Sequence, residues 1–328
     1  MKKILITGGL GFLGSYSIEK FKSEGWDITV IDNLSSNVIA PDDPICERVK
    51  VIVKDVLDYG WLSERDGEDF DVILHLASPV GPVGILKHSG KMAYLILKDI
   101  YWAISGANIH KCPLVFISTS EIYGHRDKAE LLVESDDKVL KGDFSVRNEY
   151  SVAKLLCEIV LDNTSKVSDL KYQIIRPFNI SGARQLKDGG FVLPTFVTQA
   201  LEGDDITVFN SGDQVRAFTH VKDIVDGIYL TCTTEKMNRI WNIGNPENIS
   251  TINYLAETVR DITGSDSQIV HVDPKTIHGP LYEEAWDKIP NSDNIRNELG
   301  WTPKFDTDSV IRDVVNHYGQ TIKKGAVK

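Results

Sequence analysis

The chain has 328 residues, enough for a large core and a second, smaller lobe, and its 42% hydrophobic and 25% charged residues are ordinary for a globular protein. A formal charge of −11 argues against a nucleic-acid or anionic-membrane surface, while leaving room for a local basic pocket. No apolar run reaches membrane-span length, the N-terminus enters a strand without a leader signature, and Cys46, Cys112, Cys157 and Cys232 form no CxxC pair; a cytoplasmic protein with reduced thiols and no metal site is expected.

Residues 3–14, KILITGGLGFLG, read as a short strand over 4–6, a glycine turn, and a helix carrying Phe12, Leu13, Ile18 and Phe21 inward. Glycines at Gly8, Gly11 and Gly14 keep the turn tight, let backbone approach a pyrophosphate, and aim free N–H groups of the helix start at its charge. A turn that merely needs small residues would show the same triplet, but Val30-Ile31-Asp32 closes a second strand eighteen positions later. That is where a dinucleotide fold places the acid for the adenosine ribose. A carboxylate there repels a 2′-phosphate, so NAD is favoured over NADP.

Residues 33–47 are polar, with Pro41 and Pro44, and read as a loop over the adenosine end. A third strand over 49–53 ends at Lys54-Asp55-Val56, where Asp55 either meets the adenine amino group or caps a helix. A fourth, over 72–74, leads into His75-Leu76-Ala77-Ser78-Pro79 at the end of a strand, where open α/β sheets bind ligands. The Gly/Pro-rich loop Val80 to Gly84 is expected to keep helix from starting before about Gly90. Over 91–109, Met92, Leu95, Ile96, Ile100 and Ile104 share one helical face.

A strand over 114–117 delivers Ser118-Thr119-Ser120-Glu121-Ile122-Tyr123-Gly124. The alternation of strands and helices predicts an α/β fold with a Rossmann-type doubly wound parallel sheet. A charged excursion over 125–148 returns at Tyr150, which opens a helix to about Val167, and a strand over 172–175 ends in Arg176-Pro177-Phe178-Asn179. Beyond Gly182 the elements shorten, with strands over 206–209, 240–242 and 268–272 and helices over 192–201, 223–233, 252–263 and 307–323. The expected organisation is a dinucleotide-binding domain over 1–178, with a return segment near 221–235, and a smaller α+β substrate lobe over 179–328.

Tyr150 and Lys154 stand one helical turn apart on the same face. A tyrosine titrates near pH 10, too high for a base at neutral pH, and a nearby ammonium with a cationic nicotinamide would stabilise its phenolate. Such a phenolate takes the proton of a sugar hydroxyl while the carbon loses hydride, and Thr119 can hold the same hydroxyl. The same pair on an exposed helix face would carry no chemistry.

Together TGGLGFLG, the Asp32 strand end, HLAS, STSEIYG, YSVAK, RPFN followed by GARQ, and QVRAFTHVKD resemble the extended short-chain dehydrogenases/reductases, the NAD-dependent sugar-nucleotide epimerases and dehydratases, over nearly the whole chain. The resemblance implies Thr119 as hydroxyl-orienting residue, Tyr150 as base, and Lys154 as its partner and holder of the nicotinamide ribose. It implies a cofactor lining of Gly8, Gly11, Phe12, Leu13, Gly14, Asp32, Asn33, Asp55, Val56, Leu76, Ala77, Ser78, Ser118 and Pro177 besides Tyr150 and Lys154. Asn179 would meet the substrate diphosphate and Arg184 and Arg216 the nucleotide half; the alternatives are a turn residue for Asn179 and inter-lobe ion pairs for the arginines. A homodimer through the helices near 91–109 and 150–167 is also implied.

The Thr-Ser-Glu order at Thr119, Ser120 and Glu121 resembles the UDP-glucuronate decarboxylases, whereas the dehydratases usually carry an acidic pair after the threonine. HLASP with Pro82, Arg147 three residues before Tyr150, and the ungapped run from Gly182 to Leu201 resemble them too, which puts Ser120 and Arg147 on the substrate side. Oxidation at C4 would make a β-keto acid that loses carbon dioxide, with Glu121 managing protonation; alternatively Glu121 only caps a loop. A 4-epimerase or 4,6-dehydratase of a UDP- or other NDP-sugar, and a non-catalytic NAD-binding regulatory protein, are the rival readings. Three stretches depart from the family pattern: the 80–84 loop, Lys98-Asp99-Ile100-Tyr101-Trp102 in place of an Asn-x-x-Gly-Thr motif, and a C-terminal basic motif reduced to Asp287-Lys288-Ile289-Pro290.

Overall fold

The computed structural model describes residues 1–61, 69–126, 130–140, 142, 144–285 and 287–325. In chain order, β1 (Lys3–Thr7), α1 (Phe12–Ser23), β2 (Asp27–Asp32), β3 (Lys50–Val53), β4 (Val72–His75), α2 (Gly81–Lys87), α3 (Met92–His110) and β5 (Leu114–Ile117) come first. They are followed by β6 (Leu131–Leu132), α4 (Val146–Val167), β7 (Tyr172–Pro177), β8 (Ile180–Ser181), α5 (Val192–Glu202), β9 (Ile206–Phe209), β10 (Val215–Ala217), β11 (Thr219–His220) and α6 (Val221–Thr233). The chain closes with β12 (Arg239–Ile243), β13 (Ile249–Thr251), α7 (Ile252–Thr263), β14 (Ile269–Val272), α8 (Lys275–His278), β15 (Ile289–Pro290), α9 (Asp293–Leu299) and α10 (Thr307–Gly325).

Seven strands form one parallel sheet in the order β3-β2-β1-β4-β5-β7-β12. Side chains alternate across it, so Leu5 joins Ile73, Phe116 and Ile174 beneath Ile96 and Ile100 of α3 and Leu161 of α4. Ile4 and Ile6 face the other way, against Ile18 and Phe21 of α1 and Ile224 and Ile228 of α6. Both faces being covered, the middles of the strands are mostly apolar, and each such side chain removed from water contributes roughly 1.5–3 kcal/mol. Strand order reverses between β1 and β4, which opens a crevice at their C-terminal ends.

A separate apolar cluster joins Leu193 and Phe196 of α5, Val208 of β9, Leu255 and Val259 of α7, and Val310 and Val314 of α10. Parallel pairs β9/β14, β8/β11 and β6/β15 and the antiparallel pair β10/β13 edge this part of the molecule. Among the described residues no group of His, Cys, Asp and Glu could hold a metal ion, and no helix is long and apolar enough to cross a membrane.

Three local differences from the sequence reading have physical causes. Helix starts at Gly81, well before Gly90, because Pro82 falls in a first turn where its missing N–H costs no hydrogen bond. Gly81 turns the chain into that helix at φ 80°, with Phe191 packed so close that a Cβ would lie 2.8 Å from its ring. α4 starts at Val146, its N-terminus closed by Ser145 N donating to Asn148 Oδ1 at 2.8 Å, so Tyr150 sits one turn inside the helix and not at its opening. The strand expected over 240–242 among the later, irregular elements is instead the seventh strand of the central sheet, paired with β7.

Candidate active site

The crevice is walled on one side by the turn after β1. Gly8 adopts φ 67° and lies so close to the turn after β4 that a Cβ would meet Ala77 N at 2.9 Å. At Gly14 a Cβ would stand 2.3 Å from Gly8 O, so the helix can follow the strand this tightly only with glycine. Thr7 Oγ1 contacts His75 Nδ1 at 2.8 Å and accepts from Ala77 N at 3.2 Å, fixing the wall carrying Leu76, Ala77 and Ser78. Burial, aided by the charge of Lys154, pushes His75 down to about 3 and keeps its imidazole neutral.

Asp32 ends β2 facing this turn, its two oxygens accepting from Leu10 N at 2.9 Å and Leu34 N at 2.8 Å. A carboxylate has about four acceptor positions, so two remain for a ribose diol. Asn33 Nδ2 donates to Asp55 Oδ2 at 3.0 Å, while Asp55 Oδ1 accepts from Leu57 N at 3.1 Å. Asp55 is therefore a cap that also holds Asn33. Phe12 and Leu13 pack on the α1 and α6 side of the sheet, Val56 on the opposite side, and Pro177 ends β7 beside Ile243 of β12. Glycine turn, paired acceptors on Asp32 and neutral walls form a trough that fits NAD.

At the other end of the trough α4 presents Tyr150 and Lys154, both buried. Tyr150 lies near the Thr119 hydroxyl; burial raises the phenol well above its usual range and Glu121 adds to this, against the influence of the Thr119 hydroxyl and the charge of Arg147. Lys154 Nζ donates to Ile117 O at 2.9 Å and lies 4.7 Å from the centre of the Phe116 ring. Burial lowers it to about 8, opposed by Cys157, Asp99 and Glu158. The two residues share a face as expected, with the ammonium anchored to the end of β5 and the phenol near Thr119.

Thr119 also caps the 120–123 turn, its hydroxyl accepting from Glu121 N at 3.1 Å. The Glu121 carboxylate accepts from Arg147 Nη1 at 3.1 Å and from Lys288 Nζ. Burial would raise its pKa, but Lys288, Arg147 and, farther off, Arg216 bring it down to about 2. Glu121 is thus an acceptor-only anion at neutral pH: here it orients two cations and carries no proton. Lys288 is 1% exposed, and burial, with repulsion from Arg147 and Arg216, lowers its own pKa against the pull of Glu121.

Arg147 Nε donates to Glu283 O at 2.7 Å, which ties α4 to the 282–288 stretch. Arg216 is buried under the same stretch, donating to Asp287 Oδ1 at 3.0 Å and Glu284 Oε1 at 3.1 Å. Arg216 faces two carboxylates, whereas Arg147 and Lys288 share the single carboxylate of Glu121, so three cations and three carboxylates balance over the whole cluster while two of the cations gather on Glu121 beside Tyr150.

Of the residues expected at the site, Thr119, Ser120, Glu121, Arg147, Tyr150, Lys154 and Arg216 come together, and Ser118 lies directly beneath them with its Oγ donating to Glu158 Oε1 at 2.5 Å. Asn179 is a turn residue at φ 31°, its Nδ2 donating to Ala217 O at 3.3 Å. Arg184 does not join the group: it stacks 3.6 Å from the centre of the Tyr16 ring and pairs with Glu19 at 2.5 Å, the ion-pair alternative. Lys288 is the residue the sequence did not single out; its 287–290 stretch read as a lost motif, and the only signal was a charged pair before Ile289-Pro290.

Residues 4–244 match the model of the NAD dependent epimerase/dehydratase family. The chain is 29% identical over 320 residues to UDP-N-acetyl-alpha-D-glucosaminuronate decarboxylase of Bacillus cytotoxicus, covering 97% of this chain and 98% of that protein. It is 26% identical over 327 residues to UDP-glucuronic acid decarboxylase 1 of Xenopus tropicalis, covering 99% of this chain and 74% of that one. The solved UDP-glucose 4-epimerase of Thermotoga maritima with UDP-glucose superposes at TM-score 0.85 and 24% identity, covering 98% of this chain and 99% of that one; the likeness is one of fold.

Replacing Glu121 by Gln leaves Lys288 and Arg147 buried without their counter-ion and is expected to cost about 3–5 kcal/mol of stability, much of it recovered in the Glu121→Gln/Lys288→Met double variant. Because folding depresses the Glu121 pKa from 4.5 to about 2, its contribution is present above about pH 4.5 and is withdrawn as pH falls toward 2. Denaturant titrations of the three proteins between pH 2 and 7 check both: the Gln variant should lose less stability over the acid range than the parent.

Proposed function

From the NAD dependent epimerase/dehydratase family, to which this chain belongs, we propose that it is an enzyme that decarboxylates a UDP-uronate through a 4-keto sugar, with UDP-glucuronate the first candidate. The observation that carries this reading is the pair of buried cations, Arg147 and Lys288, that share the single carboxylate Glu121 beside Tyr150. A substrate carboxylate can pair with these donors; a neutral hexose cannot. Both decarboxylases named above align with nearly the full length of this chain, which supports the same choice.

NAD, when bound, supplies the hydride acceptor. Thr119 orients the C4 hydroxyl and Tyr150 takes its proton, with cationic charge from Arg147 and Lys154 favouring the phenolate. Once C4 is a ketone the C6 carboxylate lies β to it, the C5–C6 bond breaks, and carbon dioxide leaves while the electron pair becomes the enolate. The hydroxyls of Thr119 and the protonated Tyr150 donate to the C4 oxygen of that enolate. A proton from solvent then adds at C5, and the hydride taken from C4 is returned to it as Tyr150 gives its proton back to the C4 oxygen, which leaves carbon dioxide as the net loss. A uronate 4-epimerase would use the same carboxylate reader, and release of carbon dioxide separates the two.

We also read the chain as a Rossmann domain over 1–178, joined by α6 and β12, and a substrate lobe over 179–328, a division supported by the separate apolar cluster of the later helices. Tyr94 and Tyr101 on α3 and Val152, Leu156 and Ile159 on α4 leave an apolar surface exposed, which supports a homodimer joined through these two helices. Four buried free cysteines suit a cytoplasmic enzyme.

Incubation with UDP-glucuronate, UDP-N-acetylglucosaminuronate, UDP-glucose and dTDP-glucose, followed by mass and proton NMR, tests the reaction. Loss of carbon dioxide from a uronate is expected, and an unchanged mass with inverted C4 would make the protein an epimerase. Tyr150→Phe should lower turnover at least 10²-fold with NAD still bound. Light scattering should give the mass of a dimer for the parent and of a monomer for Ile159→Asp; a monomeric parent would contradict the helix-face interface.

A further inference from the structure

Below the reacting groups lies a second buried charge cluster. Glu158, 4% exposed, is one turn beyond Lys154 and two beyond Tyr150 on α4. Its Oε1 accepts from Ser118 Oγ at 2.5 Å and Arg176 Nε at 3.0 Å, and its Oε2 from Arg176 Nη2 at 2.5 Å. Ser118 directly precedes Thr119, and its own N donates to Ile175 O at 2.7 Å. Arg176 Nη1 donates onward to the Tyr123 hydroxyl at 2.8 Å and to Glu134 O at 2.9 Å, and Tyr123 donates to Asn242 Oδ1 at 2.7 Å. One carboxylate thus fastens α4 to the end of β5, to β7 and, through Arg176, to the turn that carries Glu121.

We propose that Glu158 is the positioning residue of this site, holding Ser118-Thr119 against Tyr150 and setting the 120–123 turn through the Arg176–Tyr123 link. Touching no reacting atom, it acts through Ser118 and Arg176. The physical reason is reach: of the polar links between α4 and the end of β5, Lys154 to Ile117 O and Glu158 to Ser118, the second lies outside the groups that meet the substrate. It adds to the apolar packing that Phe116 shares with Leu161 a fixed hydrogen bond at the residue before Thr119.

Glu158 has a second consequence for Lys154. The groups facing that ammonium are Cys157 and Glu158 on its own helix, Asp99 on α3, neutral His75 on β4, and the Ile117 carbonyl and Phe116 ring on β5. Glu158 is one of the anions that hold its proton, so a neutral residue there should move the basic limb of the kcat profile to lower pH.

The test uses the full-length, NAD-loaded protein with Glu158→Gln, and with Ser118→Ala as the variant that removes one bond and no charge. Hydrogen exchange is expected to accelerate in peptides covering 117–124 in both, with α1 and α10 unchanged. With the uronate turned over by the parent, kcat should fall by on the order of 10²-fold in Glu158→Gln and less in Ser118→Ala, with KM within a few-fold, and the basic limb should shift in Glu158→Gln alone. Unchanged exchange at 117–124, or acceleration throughout the protein with an unshifted limb, overturns the proposal. The kinetic arm rests on the decarboxylase reading and the exchange arm does not: if the parent turns over no uronate that reading fails, and exchange still decides the role of Glu158.

Discussion

The cofactor crevice and Thr119 hang from the C-terminal edge of one parallel sheet, with α4 bringing Tyr150 and Lys154 to it, and this follows from the direction in which the strands run. Because β1, β2, β4, β5 and β7 all end on the same side, their following turns must gather there, and the reversal of order between β1 and β4 leaves the gap between two of those turns open. Gly8, Asp32, Ala77 and Thr119 each lie within two residues of a strand end. The sheet is held in turn by apolar layers on both faces, so any change that tilts α4 against β5 displaces Tyr150 relative to Thr119.

Buried charge is the second constraint. Ionised groups removed from water are tolerated only when hydrogen-bonded to opposite charge, and the site meets this in two tiers. In the upper tier Arg147 and Lys288 share Glu121 while Arg216 meets Glu284 and Asp287, so the charges balance overall but two cations gather on the one carboxylate beside Tyr150. The lower tier, Glu158 with Arg176, is matched one to one and reached by no substrate. Two cations sharing one carboxylate suit the recognition of an anion, whereas a one-to-one pair suits support.

Sequence disclosed what depends on neighbours along the chain. The Gly8-Gly11-Gly14 turn, the acid ending β2, and the Tyr150-Lys154 spacing are local patterns whose geometry is set within one or two turns, and each is found where expected. Lys288 was invisible because its partner is 167 residues away, brought near only when β15 pairs with β6. β12 was placed with the wrong elements for the same reason, since a short apolar strand gives no sign of which sheet will accept it. At α2 the Gly/Pro-rich composition of 80–84 argues for a loop, but Pro82 stands in the first turn, where a proline's position relative to the helix start reverses its effect. Arg184 shows the converse: a residue in a motif-like setting, GARQ, is absorbed by Tyr16 and Glu19.

The proposed function depends on recognition of a substrate carboxylate by Arg147 and Lys288. It is tested most directly by titration calorimetry of the NAD-loaded Tyr150→Phe protein, which binds without turning over, against UDP-glucuronate and UDP-glucose. Tighter binding of the uronate, with the difference abolished in Tyr150→Phe/Lys288→Met, is the result this charge arrangement requires. Equal affinity for both sugars, or a preference for UDP-glucose, would contradict it.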